Sequence, residues 1–114
     1  MTTRNDARPP LDRAEALDRI GGDQDFLAEL LALYDAEFAD KSTALAAAIE
    51  AGDMEAVRAL GHGLKGSSAN LSLPGLREAA QEMETAGGER NAAAARKILE
   101  RLNEEYRALK AFLG

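Results

Sequence analysis

The 114-residue chain has the length of one domain, and 46% hydrophobic with 30% charged residues is a globular composition; no run lacking Asp, Glu, Lys and Arg extends beyond Gly66–Leu76, which excludes a bilayer-spanning helix of about 20 apolar residues. There is no cysteine, hence no disulfide framework, thiolate metal site or thiol nucleophile, and no basic stretch leads into an apolar core as in a secretory signal, so a cytoplasmic protein is expected. The net charge of −6 resides in residues 1–70, with 13 acidic and 7 basic side chains against 7 of each in residues 71–114, and it disfavours nucleic acid and anionic membranes as partners.

Residues 1–10, polar and ending in Pro9-Pro10, are expected to be a disordered tail, and residues 11–114 a single domain. Beyond Pro10 the punctuation is Gly21-Gly22, Gly52-Asp53, Pro74-Gly75 and Gly87-Gly88, and between these marks apolar residues recur at three and four, the helical spacing. Asp12 caps a short helix carrying Leu17 and Ile20. Asp23 caps a long one with Phe26, Leu27, Leu30, Leu31, Tyr34 and Phe38 on one side, continuing through Leu45, Ala48 and Ile49 to Gly52, with room for a break near Asp40–Ser42. Asp53 caps a third segment reaching about Leu71. Pro74 suits the first turn of a fourth ending at Gly87, and a fifth runs from about Asn91 to Leu113 with Ala95, Ile98, Leu102, Leu109 and Phe112 inward. Short connections between long amphipathic helices predict an all-α fold, an antiparallel up-down four-helix bundle with a short extra N-terminal helix.

The third segment breaks the pattern. Gly61, Gly63 and Gly66 lie in its interior, each less favourable than Ala by up to about 1 kcal/mol. On a helical wheel Val57, Leu60, Ser68 and Leu71 fall within about 40° of Leu64 and form the inward stripe. His62, the chain's single histidine, lies about 160° away, on the outward face. Around it are the small residues Ala59, Gly66 and Ala69, with Lys65 at i+3. Because helical side chains lean toward the N-terminus, the residue overhanging His62 is Gly66, which has none.

An outward imidazole serves metal binding, acid–base chemistry or covalent transfer. A metal needs further ligands, and the chain offers no second His and no Cys. A Ser-His-Asp triad needs a buried orienting acid and an oxyanion hole, and Ser67 and Ser68 lie about 100° or more from His62 on the wheel. Phosphoryl transfer asks for an accessible nitrogen nucleophile and a cation for the incoming charge, which this patch supplies. A helical interaction scaffold with an idle His is the alternative.

His62-Gly63-Leu64-Lys65-Gly66-Ser67-Ser68-Ala69-Asn70-Leu71 resembles the signature of histidine-containing phosphotransfer (HPt) domains, H-x-L-K-G-S-S-A-x-L. Gly21-Gly22-Asp23 with Phe26-Leu27, and Ala51-Gly52-Asp53, resemble the family's flanking segments. The resemblance implies a phosphate carrier without turnover of its own, an intermediate of a two-component phosphorelay. It also implies that His62 is the phosphoacceptor, that Lys65 stabilises the phosphoryl group, that Gly66 gives a partner access, and that Glu84 on the next helix orients the imidazole. The implied partners are response-regulator receiver domains or a hybrid sensor histidine kinase; separately, with no large heptad seam in the sequence to suggest a dimer, a monomer is expected. No cofactor of its own is implied, Mg²⁺ coming from the receiver. The phosphoacceptor domain of a chemotaxis-type histidine kinase would present the same His to a different donor. Two positions depart from the family. Ser72 stands where Gly is usual, so the turn is expected to be rebuilt around Gly75, and Gly61 replaces a customary Ala, which is expected to loosen the helix.

Overall fold

Asp12, Asp23, Asp53 and Asn91 each accept a hydrogen bond from the backbone N–H three residues on, at 3.0–3.1 Å, and so fix where four helices begin. The fifth start has no side-chain cap but carries Pro74 in its first turn, where the missing N–H is of no consequence. The computed structural model describes residues 8–114, which form α1 (Arg13–Arg19), α2 (Gln24–Ala51), α3 (Met54–Asn70), α4 (Pro74–Gly88) and α5 (Ala92–Leu113), with no strand among the described residues. Most of the tail expected over residues 1–10 lies outside the described residues, while Arg8 pairs with Glu78 of α4 at 3.4 Å.

The chain is an all-helical bundle of α2–α5, with α1 as the extra N-terminal helix. The core is filled by Leu27, Tyr34, Phe38 and Leu45 of α2, Val57 and Leu64 of α3, Leu76 and Met83 of α4, and Leu102 and Leu109 of α5. Phe38 stacks on Tyr106 with ring centroids 4.2 Å apart, joining α2 to α5. Leu11 is buried, and Asp12 N–H donates to Ser72 O at 2.9 Å, which ties the leading segment to the α3–α4 turn.

Several local expectations are corrected. α2 is uninterrupted across Asp40–Ser42: the Ser42 and Thr43 hydroxyls donate back to Ala39 O at 3.3 and 3.0 Å within an intact helix, and one buried stripe runs through both halves. Phe26 and Phe112, expected on the apolar sides of their helices, are 43% and 44% exposed, each within three residues of a helix end. The α3–α4 turn is not rebuilt around Gly75. Ser72 itself takes the left-handed conformation, φ 60°, and the turn closes through Ser72 N–H to Ala69 O at 3.1 Å and Leu73 N–H to Ser68 O at 2.9 Å. Gly75 instead lies in the first turn of α4, beneath the Glu105 side chain. Gly87-Gly88 likewise belongs to the last turn of α4, and the positive φ that ends that helix falls on Arg90 (55°).

Candidate functional site

The face of α3 turned away from Leu64 carries His62, whose side chain is 67% exposed, as the wheel requires. Its Nδ1 lies 2.9 Å from Oε2 of Glu84, which α4 brings alongside. The other carboxylate oxygen, Oε1, is 2.6 Å from Nζ of Lys65. One carboxylate thus bridges the two α3 residues singled out from the sequence. The Lys65 ammonium first, and the His62 ring second, hold the Glu84 carboxyl below the usual carboxylate range, so it is ionised at neutral pH. An ionised carboxylate only accepts hydrogen bonds, so Nδ1 carries the proton in this contact and a neutral ring keeps its lone pair on Nε2.

The three glycines, alike in the sequence as helix-weakening residues, do different things in the bundle. A β-carbon added at Gly66 meets nothing within 4 Å, so this position does leave the ring uncovered. At Gly61 a β-carbon would lie 2.6 Å from the Glu84 backbone nitrogen and 2.9 Å from its Cα. Gly61 therefore does not serve to loosen α3; it lets α4 approach closely enough for Glu84 to reach His62. Gly87 plays the reciprocal part, its missing side chain admitting the Arg58 backbone of α3. At Gly63 a β-carbon would fall 2.7 Å from Nζ of Lys41, a residue of α2.

Lys41 belongs to a group that sequence reasoning missed. Its Nζ pairs with Glu37 Oε2 at 2.7 Å, and the same oxygen accepts a hydrogen bond from Ser67 Oγ at 3.1 Å. The i,i+4 spacing of Glu37 and Lys41 is legible in the sequence, but their place against α3 is not. Deeper in the same interface the Tyr34 and Ser68 hydroxyls hydrogen-bond to each other at 2.8 Å, with Ser68 on the inward stripe as expected. Burial pushes the Tyr34 phenol well above the ordinary tyrosine range, the bond to Ser68 opposing that shift, and the group stays protonated. Among the described residues no group of three or more His, Cys, Asp or Glu side chains is placed to hold a metal ion, and no helix is long and apolar enough to cross a membrane.

A helical bundle that presents one tethered imidazole on a bare helix face, with a carboxylate and an ammonium beside it, has the layout of a phosphoryl carrier. The Hpt domain family matches residues 29–112, well over half of the chain, and the chain belongs to that family. Hpt domains are phosphocarriers of two-component phosphorelays rather than enzymes, which gives this chain a phosphotransfer role and receiver domains or histidine kinases as its kind of partner. Comparison with curated proteins and with solved structures gives no match.

Proposed function

We propose that this chain is a phosphorelay intermediate that accepts a phosphoryl group from a receiver-domain aspartyl phosphate onto Nε2 of His62 and passes it to a second receiver. The observation that carries the reading is the commitment of Nδ1 to an ionised Glu84 while the ring is two-thirds exposed over Gly66. In the forward step the Nε2 lone pair forms the N–P bond as the P–O bond to the aspartyl carboxyl breaks, and the bonding pair leaves with the receiver's carboxylate. Nδ1 keeps its proton, and the positive charge gained by the ring faces the Glu84 carboxylate.

Phosphoryl transfer passes through a loose transition state, so positioning and charge stabilisation are what the protein contributes. Glu84 positions the ring. Lys65, only 28% exposed and paired with Glu84, turns part of its donor capacity to the phosphoryl oxygens as they arrive. Gly66 leaves the partner's approach unobstructed. Mg²⁺, brought by the receiver, supplies neutralisation of phosphoryl charge when bound. The carrier acts as a cytoplasmic monomer.

Mixing the protein with a phosphorylated receiver tests the reading. Wild type should acquire acid-labile, alkali-stable phosphate and His62→Gln none. Label that persists in His62→Gln overturns the assignment, and label taken only from a kinase with ATP, never from a phospho-receiver, overturns the receiver-to-receiver route.

A further inference from the structure

Two Lys–Glu pairs meet the stretch of α3 that carries His62: one joins Lys65 of α3 to Glu84 of α4, and the other, Lys41–Glu37 of α2, lies against Gly63 and Ser67. The N–O distances are 2.6 Å for the first and 2.7 Å for the second. The second pair is not a remote surface contact. Its ammonium occupies the space that a side chain on Gly63, the residue after His62, would fill. Both of its side chains are about one-third exposed, so the pair is neither fully solvated nor sealed off.

We infer that Lys41 is a second cation for the phosphoryl group on His62, held ready by Glu37 and admitted against α3, at the residue next to His62, by the missing side chain of Gly63. The inference rests on His62 as the phosphoacceptor. Charge is the first reason. Lys65 is already neutralised by Glu84, so a dianion arriving on His62 meets no net positive charge there, in a chain whose first 70 residues carry all of the net −6, and a further ammonium close to α3 would offset it. Reach is the second. A lysine has a flexible four-carbon stem and three donors, so Lys41 can keep one hydrogen bond to Glu37 and give another to a phosphoryl oxygen. Arg58, the other cation on this stretch of α3, is tied to Glu55, further from His62 along the helix.

The glycine supports the same assignment. A helix-interior glycine is unfavourable relative to Ala by roughly 1 kcal/mol, and no backbone packs against position 63 to require it. What occupies the position is the Lys41 ammonium. Ser67, donating to Glu37 Oε2 from one turn further along α3, fixes the carboxylate and with it the resting place of the lysine.

The experiment loads His62 with phosphoramidate, which needs no receiver, and follows the phosphoryl group by 31P NMR as pH is varied. Lys41→Met keeps the stem and removes the charge. It should raise the pH at which the phosphoryl group takes up a proton by about half a unit and slow transfer from a saturating phospho-receiver about fivefold, with Lys41→Arg restoring both. Glu37→Gln, which retains an acceptor for Ser67 and releases the ammonium, should shift the phosphoryl titration the opposite way. Gly63→Ala should reproduce part of the Lys41→Met effect by displacing the ammonium. If Lys41 merely straps α2 to α3, the Lys41 and Glu37 variants will both melt lower while the phosphoryl titration stays put, and that result overturns the inference while leaving His62 as acceptor. Failure of both phosphoramidate and a phospho-receiver to label His62 overturns the acceptor assignment and this inference with it.

Discussion

Gly61→Ala separates what helix propensity predicts from what packing dictates. Judged by α3 alone, the substitution is stabilising by about 1 kcal/mol, since Ala is the better helix former. In the bundle the new methyl would lie 2.6 Å from Glu84 N, 2.9 Å from Glu84 Cα and 3.1 Å from Met83 C. These are backbone atoms of a helix and cannot rotate aside. Restoring ordinary van der Waals contact at 3.4 Å requires α4 to retreat by about 0.8 Å. Overpacking of this kind costs about 1–3 kcal/mol, so after the propensity gain the variant should lie from near neutral to about 2 kcal/mol less stable. For a domain of this size that is a fall in Tm of up to roughly 10 °C, where propensity alone gives a rise of about 5 °C. The same retreat stretches the 2.9 Å contact between His62 Nδ1 and Glu84 toward about 3.7 Å, beyond hydrogen-bonding range. Thermal melting by circular dichroism reads the first effect, and imidazole 15N shifts, which report the tautomer, read the second. A variant that melts higher than wild type with an unchanged imidazole spectrum would refute the close-approach argument.

At Gly66, where nothing lies within 4 Å, Gly66→Leu should keep or raise stability, by up to about 1 kcal/mol, while weakening binding of a phospho-receiver; undiminished binding in a titration would remove the access role. The Glu84 carboxyl is held below the ordinary range by Lys65 and His62, so its stabilising effect is complete above the usual carboxylate pKa and fades as pH falls through its lowered value; the stability gap between wild type and Glu84→Gln in urea melts should therefore shrink between neutral pH and pH about 3, and a constant gap would contradict the ion-pair assignment. Tyr34→Phe strands the Ser68 hydroxyl in the core and should cost about 1–3 kcal/mol, whereas adding Ser68→Ala to it should recover part of that loss; strictly additive effects in a double-mutant cycle would show that the 2.8 Å bond carries no coupling.

The sequence by itself determined the helices, where most of them begin, and the direction in which His62 points. Each is a local matter: a cap acts over three residues, and the stripe through Val57, Leu64 and Ser68 repeats every turn, so one strand of text contains both partners. Helix ends were less legible, because Ser72 and Arg90 adopt positive φ without being glycine, under hydrogen bonds and packing that a residue pattern does not display. The tertiary structure decided what the glycines are for. Gly61 and Gly87 set how near α3 and α4 can come, Gly66 stays bare, and Gly63 makes room for a lysine from α2, distinctions invisible in four identical letters. It likewise decided that Lys65 meets the same carboxylate as His62, across 22 residues of chain from His62 to Glu84, and that Glu37 and Lys41 of α2 lie against Ser67 and Gly63. Such contacts depend on interhelical distance and on which side chain fills each gap, and those are fixed only when all the helices pack at once.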